Sequence, residues 1–452
     1  MKKIITLTIT ILMIISGIGL AKTTNEKNNY ETYDLLVITP TFFTDELNPL
    51  VEHKNTVGMS TKMYFLEDIY DEYDGRDEAE KIKYFIKYAI EEWNVKYVLL
   101  VGGRKPSIFC EKWILPVRYS HIEDNVAALE NVFISDLYYA DIYDDHGNFS
   151  SWDTNNNNIF SEWLANKSAD DIIDLYPDVY VGRLPCRTRY EVKIMVNKII
   201  EYEQEPCDES WFKRVVVVGG DTYTFNDYYE GEVANQQALD YMQGYEHVKL
   251  WTSDGSLKRF FDVLKTVNKG CGFLFFAGHG GPHAWATHPP FDNQTWIYAL
   301  RNRNMPFFSN QEKLPICIVG GCHNSMFNIS LLHLSWTNGV PVNECWSWRL
   351  TRKMGGGSIA TIGCTGLGYG KEDKQDPSQG GAGDYLNVLF FKECGENQKD
   401  ILGEAWGDAI SSYIDEFPIY WNQHAFNDTA LDAKTVQEWV LLGDPSLKIG
   451  GY

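Results

Sequence analysis

The sequence predicts an α/β fold in which mainly parallel sheets form the cores of two successive subdomains. Short apolar runs alternate with amphipathic helical patterns along the chain, which is typical of parallel strands joined by crossover helices. Most of these runs end at glycine, where a buried strand gives way to a loop. With 452 residues, 44% of them hydrophobic, the chain is long enough to build more than one core.

The N-terminal subdomain is predicted to cover residues 30–207. Its strands are short runs rich in Val, Leu and Ile, and its first helix has apolar residues three and four positions apart, on one face. The predicted elements are, in chain order, strand Asp34–Ile38, helix Asp77–Trp93, strand Tyr97–Val101, strand Asp178–Gly182 and a helix through Tyr202.

The C-terminal subdomain is predicted to cover residues 208–452, because the pattern restarts after the acidic stretch Glu205–Asp208. Its second helix is expected to end at Gly270, since glycine suits a helix C-terminus. The predicted elements are strand Arg214–Val218, a helix near Glu232–Met242, strand Val248–Leu250, helix Leu257–Val267, and strands Gly272–Phe276, Ile316–Val319 and Gly357–Ile362.

Residues 1–21 have the pattern of a secretory signal peptide. Lys2 and Lys3 precede the apolar run Ile4–Leu20, and Gly19-Leu20-Ala21 supplies small residues for cleavage. An uncleaved membrane anchor is the alternative, but Thr and Ser residues dilute the run. We therefore expect a secreted, extracellular protein that contacts no membrane after cleavage.

The charge balance excludes one class of partner. The chain has 40 basic and 62 acidic residues, a formal net charge of −22 at pH 7, so nucleic acid would approach against like charge. We expect a monomer without an organic cofactor.

The nine cysteines are an odd number, which leaves at least one unpaired in a secreted chain and indicates a candidate reactive thiol.

Two predicted strands of the C-terminal subdomain are each followed, three residues later, by a reactive side chain, His279 after the first and Cys322 after the second. Functional groups of open α/β sheets gather at the carboxyl ends of strands, so neighbouring parallel strands would bring both side chains to one edge. A thiol and an imidazole flanked by glycines predict nucleophilic attack on an amide carbonyl, with Gly280 and Cys322 N–H groups as oxyanion donors. A buried structural cysteine and a hydrogen-bonded structural histidine are the alternatives.

Five segments of the sequence resemble the gingipain family of cysteine peptidases. They are Tyr33–Pro40, Asp178–Pro185, Phe276–Gly280, Val319–Phe327 and Leu442–Leu447. The resemblance implies a caspase-like parallel-sheet sandwich in two subdomains. It also implies a cysteine endopeptidase that hydrolyses polypeptide substrates, with Cys322 and His279 as the catalytic pair.

The resemblance further implies roles for two acidic residues. Asp221, at the end of the strand Arg214–Val218, would orient the histidine. Eleven residues later the arginine-specific gingipains place a carboxylate in the primary pocket, which holds the substrate residue before the scissile bond, and that spacing leads here to Glu232. With Tyr369 as a second substrate-binding residue, cleavage after Arg or Lys is predicted. Alternatively, Glu232 simply starts a helix, where acids suit the dipole.

The insertion Asp141–Glu162 is rich in Asn and Asp and predicts a calcium site. A hard cation needs about six oxygen ligands on a tight turn. The predicted ligands are the side chains of Asp153, Asn155, Asn157 and Glu162 and the backbone carbonyl of Ile159. A solvated Asn-rich turn is the alternative.

Two other functions stay open at this point. A catalytically silent caspase-like scaffold would present an acidic, calcium-loaded surface for binding or adhesion. A transpeptidase would use the same Cys–His chemistry, with an amine in place of water on the acyl-enzyme.

Overall fold

Short, fully buried strands form two mainly parallel sheets. The computed structural model describes residues 31–106, 110–123, 130–370 and 376–452, so the predicted signal peptide lies outside the described residues. Central strands are buried along their whole length because helices cover both faces of a parallel sheet. The strands are β1 (Leu35–Thr39), β2 (Thr61–Phe65), β3 (Tyr97–Val101), β4 (Tyr119–His121), β5 (Val132–Ile134), β6 (Tyr180–Leu184), β7 (Arg214–Gly219), β8 (Glu246–Trp251), β9 (Phe273–Ala277), β10 (His279–Gly281), β11 (Ala284–Thr287), β12 (Ile297–Arg301), β13 (Ile316–Gly320), β14 (Ala360–Cys364) and β15 (Trp439–Leu442).

Helices connect the strands, and their ends follow local capping rules. The helix before β3 begins where the side chain of Asp77 accepts a hydrogen bond from Glu80 N–H, and it ends at Asn94 in the left-handed conformation (φ 56°). The helices are α1 (Thr44–Thr56), α2 (Leu66–Glu72), α3 (Glu78–Trp93), α4 (Arg189–Glu203), α5 (Glu209–Phe212), α6 (Glu230–Tyr241), α7 (Phe260–Val267), α8 (Trp346–Thr351), α9 (Pro377–Gly380), α10 (Ala382–Gly395), α11 (Leu402–Glu416) and α12 (Asp428–Glu438).

The first sheet lies within residues 30–207 and has the strand order β2-β1-β3-β6, with every pair parallel. The predicted strands at its centre are confirmed. The predicted strand Asp178–Gly182 is displaced by two residues, to Tyr180–Leu184. The sequence analysis missed β2, because this edge strand is only half-buried and lacks a continuous apolar run.

The second sheet lies within residues 208–452 and has the order β15-β14-β13-β9-β7-β8, parallel except for β15. Alternate residues of β7 contact two different hydrophobic clusters. Val215 and Val217 join the cluster shared with the first sheet, whereas Val216 and Val218 join a separate cluster on the opposite face. Every residue of β7 is therefore buried, as its unbroken run of valines predicts.

One helix differs from its predicted outline. Helix α7 begins at Phe260, three residues later than predicted, and its C-terminal cap is Asn268 instead of Gly270. The predicted apolar face included Phe261, but this side chain is 56% exposed. Adjacent residues lie about 100° apart around a helix, so Phe260 and Phe261 cannot both face the core.

A small antiparallel sheet of β10, β11 and β12 follows β9 directly and was not predicted. The two larger sheets belong to one compact unit, Thr32–Tyr452. Their contact is close enough that a Cβ on Gly182 of β6 would lie 2.5 Å from the carbonyl oxygen of Gly443. The nine cysteines all lie among the described residues, and no disulfide bond joins any two of them. Within the described part of the chain, no helix is both long and apolar enough to cross a membrane.

Candidate active site

Three adjacent parallel strands carry the predicted catalytic residues to one sheet edge. Ala277 of β9 pairs with Gly320 of β13 on one side and with Gly219 of β7 on the other. The residues two positions beyond this register line are Asp221, His279 and Cys322. The structure thus confirms that His279 and Cys322 follow neighbouring parallel strands, with His279 in the middle position.

The loops after β9 and β13 are held against each other by a buried asparagine. The Nδ2 atom of Asn324 donates hydrogen bonds to the carbonyl oxygens of Gly281 (2.9 Å) and Ala284 (3.1 Å). A Cβ at Gly280 or Gly321 would lie 2.2 or 2.5 Å from the Oδ1 atom of Asn324. These two glycines are therefore required by the close approach of the loops, which sets the spacing between His279 and Cys322.

The thiol of Cys322 is protonated at neutral pH. Its Sγ donates a hydrogen bond to the carbonyl oxygen of Gly368, at 3.3 Å. Burial raises the pKa of Cys322 to about 11, and the negative charge of Glu438 acts in the same direction. At rest Cys322 is therefore a thiol, which a base would have to deprotonate before it could act as a nucleophile.

The imidazole of His279 is neutral and is oriented by a backbone carbonyl. Its Nε2 lies 3.0 Å from the carbonyl oxygen of Thr222, which assigns the proton to Nε2 and leaves Nδ1 free to accept one. Burial lowers the pKa of His279, although the bond to Thr222 opposes this shift. The ring also packs edge-on against Trp296, with 5.2 Å between ring centres.

Asp221 lies beside the histidine loop without a hydrogen bond to His279. Its Oδ2 accepts a hydrogen bond from Phe291 N–H (2.7 Å), and its buried Oδ1 has no partner among the described residues. The group that contacts the imidazole is the carbonyl of Thr222, one residue further on. The direct contact expected of an orienting acid is therefore not present, and that role for Asp221 stays a prediction.

A cavity of about 40 Å³ lies between His279 and Cys322 and is lined also by the segment Gly368–Gly370 and by Asp384. The sequence analysis missed Asp384, which lies in the first turn of α10. Burial raises the pKa of Asp384 to about 7, and the charge of Glu230 adds to the shift. No described residue donates a hydrogen bond to it. Tyr369, predicted to bind substrate, also lines this cavity.

Glu232 lies outside this cavity and links α6 to the turn after β8. Its carboxylate accepts hydrogen bonds from the backbone N–H (3.0 Å) and hydroxyl (2.5 Å) of Ser253 and from the hydroxyl of Thr252 (3.3 Å). Three donors already satisfy this carboxylate, so the structure does not bring it to His279 and Cys322. Its assignment to the primary pocket stays a prediction.

The predicted calcium loop is closed by its own hydrogen bonds. The Asp153 carboxylate accepts the N–H groups of Asn157 (3.0 Å) and Asn158 (2.9 Å) and pairs with the guanidinium of Arg76. The side-chain amide of Asn157 donates to Glu162 at 2.5 Å, and Asn155 Oδ1 accepts the Asn157 N–H.

These contacts already occupy most of the oxygen atoms that were predicted to bind a metal ion. The backbone N–H of Ile159 is also held within the loop, by Asn157 Oδ1. Across the described ranges, no group of three or more His, Cys, Asp or Glu side chains could hold a metal ion. The loop as placed does not fit Ca²⁺, because Arg76 already supplies the positive charge beside Asp153. Calcium binding stays an untested prediction.

Taken together, the fold and the site define a class of protein: caspase-like cysteine peptidases, with Cys and His at adjacent strand ends. The chain belongs to peptidase family C25, whose family model matches residues 28–450. This family is one of cysteine-type peptidases. This membership confirms the resemblance to gingipains.

Individual relatives are distant in sequence. Gingipain R2 of Porphyromonas gingivalis is 21% identical over 430 residues, which cover 92% of this chain and 46% of that protein. An uncharacterized protein of Archaeoglobus fulgidus is 25% identical over 264 residues, covering 54% of this chain and 60% of that protein. The chain thus spans about half the length of the gingipain that it matches.

Two solved structures share the fold. The crystal structure of the Arg-specific cysteine proteinase gingipain R superimposes with a TM-score of 0.62 at 19% identity, over 93% of this chain and 79% of that chain. A complex of pro- and mature domains from P. gingivalis gives a TM-score of 0.61 at 18% identity, over 92% of this chain and 79% of that chain. The caspase-like fold is therefore confirmed.

Proposed function

We propose that this protein is a secreted cysteine endopeptidase that cleaves polypeptides after Arg or Lys. The observation that carries the proposal is the register of β9 and β13, which places His279 and Cys322 at matching positions on neighbouring strands. Secretion rests on the signal-peptide pattern of residues 1–21, and sequencing the N-terminus of the exported protein checks for cleavage after Ala21.

In the proposed reaction, Nδ1 of His279 accepts the thiol proton while Cys322 Sγ attacks the carbonyl carbon of the scissile bond. The backbone N–H groups of Gly280 and Cys322 donate to the oxyanion. The protonated imidazole then gives its proton to the leaving amine, and a thioester remains on Cys322. Water, deprotonated by His279, attacks the thioester, which releases the acid and restores the thiol.

The resting hydrogen bond from Cys322 to Gly368 must break before this reaction begins. At rest the thiol of Cys322 and the imidazole of His279 are both neutral, so no ion pair holds the thiol against the imidazole. The thiol must therefore turn away from the Gly368 carbonyl and towards His279. The freed Gly368 carbonyl then becomes available to a backbone N–H of the substrate.

Cleavage after a basic residue is supported by Asp384. Its carboxylate lines the cavity beside Cys322 and has no hydrogen-bond donor among the described residues, so a cationic substrate side chain would supply its missing partner. Because the cavity measures only about 40 Å³, its wall must move outward to admit Arg or Lys. Glu232 is already satisfied by Ser253 and Thr252.

The test of the proposed function is a peptidyl electrophile with Arg before its reactive group. We expect it to label the wild type and Cys207→Ala, a matched control at another partly exposed thiol, but not Cys322→Ala. His279→Ala should reduce peptide hydrolysis by about 10²–10⁴-fold. Equal labelling of wild type and Cys322→Ala would rule out the peptidase and favour a silent scaffold.

A further inference from the structure

A cavity of about 510 Å³ lies next to the antiparallel sheet that follows the histidine strand. It is bounded by the end of β12, the segment after it and the loop 338–343. Its walls include the cationic residues Arg301, Arg303 and Arg349 together with His283, and none of the described residues that line it is acidic. In a chain with a formal net charge of −22, the wall of this cavity therefore carries local positive charge.

Two of the three arginines lack a counter-charge. Arg349 lies 3.3 Å from the carboxylate of Glu344, which also pairs with Arg352. In contrast, no carboxylate in the described part of the chain lies within ion-pair distance of Arg301 or Arg303. The guanidinium of Arg301 is stacked over the ring of Tyr298 at 3.6 Å, which fixes its plane and leaves its N–H groups available.

Other polar atoms of the cavity wall also lack partners. The Nδ1 atom of His283 and the Oδ1 atom of Asn302 are buried without a hydrogen-bond partner in the described residues. Unsatisfied buried groups are unfavourable, and they are often completed by a ligand or water. The guanidinium groups of half-buried Arg301 and exposed Arg303 would attract an anion, whereas the buried Oδ1 of Asn302 needs a donor. A peptide supplies both, as a carboxylate and a backbone N–H.

The cavity is within reach of a substrate bound at the catalytic pair. Gly281 pairs with Ala284, which in turn pairs with Arg301, so Arg301 lies two strand spacings, about 10 Å, from Gly281 of β10, the strand that begins at His279. An extended peptide advances about 3.3 Å per residue. A chain leaving the scissile bond therefore reaches the cavity after roughly three to five residues.

We propose that this cavity is a subsite for a carboxylate of the polypeptide substrate, three to five residues from the cleaved bond. The carboxylate belongs either to an Asp or Glu side chain or to a free C-terminus. This inference rests on the proposed peptidase function and extends it, since it adds an acidic requirement to the preference for Arg or Lys.

The test uses reporter peptides that carry one Glu or one Gln at each of positions two to six on either side of the scissile bond. In amidated peptides, Glu should raise kcat/KM about tenfold over Gln at one position, mainly through KM. The double variant Arg301→Gln/Arg303→Gln should abolish that ratio. Arg189→Gln, an exposed arginine on α4, is the matched control and should keep it.

A second arm compares free and amidated C-termini and so separates the two sources of carboxylate. A Glu-to-Gln ratio near one at every position, with no effect of a free C-terminus, would overturn the subsite. The same ratio in wild type and the double variant would also overturn it.

A binding measurement tests the subsite independently of hydrolysis. In Cys322→Ala, a fluorescent acidic peptide should bind about tenfold more tightly than its Gln counterpart, and the difference should vanish when Arg301→Gln/Arg303→Gln is added. Absence of hydrolysis with this binding intact would refute the proposed peptidase and leave the subsite standing.

Discussion

Cys322 and His279 rest as neutral groups, which predicts how the thiol should react with a small alkylating agent. Only the thiolate reacts, and the pKa of Cys322 is raised to about 11, so alkylation should accelerate with pH up to about 11. At pH 7 we expect iodoacetamide to react with the thiol of Cys322 more slowly than it reacts with the thiol of free glutathione. Mass spectrometry of the peptide containing Cys322, from pH 5 to 11, measures this. A rate already at its plateau near pH 5 would instead show a preformed thiolate–imidazolium pair.

The proposed role of Asp384 predicts that recognition of basic substrates depends on pH. Its pKa is raised to about 7, so its carboxylate is largely neutral at pH 6 and largely ionised at pH 8. For a peptide with Arg before the scissile bond, KM should therefore fall as pH rises from 6 to 8. A citrulline peptide should show no such change. Asp384→Asn should remove the dependence and lower kcat/KM for the Arg peptide by roughly 100-fold.

Glu232→Gln is the matched comparison for Asp384→Asn, because both variants remove one buried charge near the sheet edge. If Glu232→Gln lowers kcat/KM selectively for Arg peptides and Asp384→Asn does not, the assignment of Asp384 is wrong. The gingipain-like spacing that leads to Glu232 would then be the better guide.

The placement of His279 and Cys322 at neighbouring strand ends was predictable from the sequence, whereas the surroundings of the two side chains were not. His279 and Cys322 each follow an unbroken apolar run, and the topology of parallel sheets places such residues together. Asp384 lines the cavity from α10, which is far along the chain from Cys322. An acidic residue in the first turn of a helix is commonly explained by the helix dipole, so its position in the sequence does not indicate a role in the site. Thr222 orients the imidazole through its backbone carbonyl. Every residue type has such a carbonyl, so the sequence does not indicate this contact.

At the scale of elements, burial decided which strands could be predicted. Strands buried on both faces have continuous apolar sequences, and β1, β3, β7, β9 and β13 lie within two residues of their predicted bounds. The antiparallel sheet of β10, β11 and β12 begins with His279-Gly280-Gly281, which has no strand periodicity. It forms because Asn324 and the cross-strand bonds hold it in place, and such long-range contacts are invisible in a local window.

The loop of residues 153–162 depends on Arg76 in this structure. The guanidinium of Arg76 pairs with Asp153 and also with Glu80, at 2.7 Å. Arg76→Gln would leave the buried carboxylate of Asp153 without its counter-charge, and we expect the free energy of unfolding to fall by about 1–3 kcal/mol. A chelator should leave the melting temperature of the wild type unchanged.

Thermal melts with EDTA and with added Ca²⁺ check this expectation. A melting temperature that falls with EDTA and recovers with Ca²⁺ would contradict it and support the calcium site predicted from the sequence. In that case Arg76→Gln should be less destabilising, since the cation and the guanidinium would compete for Asp153.

At the scale of the whole molecule, two buried lysines join the two sheets. Lys198 of α4 donates hydrogen bonds to four backbone carbonyls near the end of α8, including those of Gly356 (3.0 Å) and Ser358 (2.8 Å). Lys54 of α1 lies between Glu203, the last residue of α4, and Asp444, in the turn after β15. These bonds explain how elements far apart in the chain share one hydrophobic core.

The Lys54 cluster also gives a structural reason for the motif Leu442–Leu447. Asp444 accepts hydrogen bonds from the backbone N–H and hydroxyl of Ser446, and it lies 2.8 Å from Lys54 Nζ, while Glu203 lies 2.7 Å from the same atom. All three charged side chains are fully buried. The motif therefore fixes a carboxylate where the turn after β15 meets α1 and α4.

Removing the shared cation should destabilise the whole molecule. Lys54→Met leaves Glu203 and Asp444 buried with no counter-charge between them, and we expect the free energy of unfolding to fall by about 3–5 kcal/mol. Lys87→Met is the matched control, because Lys87 pairs with Glu91 at the surface of α3 and should contribute less than about 0.5 kcal/mol. Urea unfolding followed by tryptophan fluorescence measures both. Equal midpoints for the two variants would show that the Lys54 cluster does not hold the two sheets together, and the shared hydrophobic core would then have to account for their association.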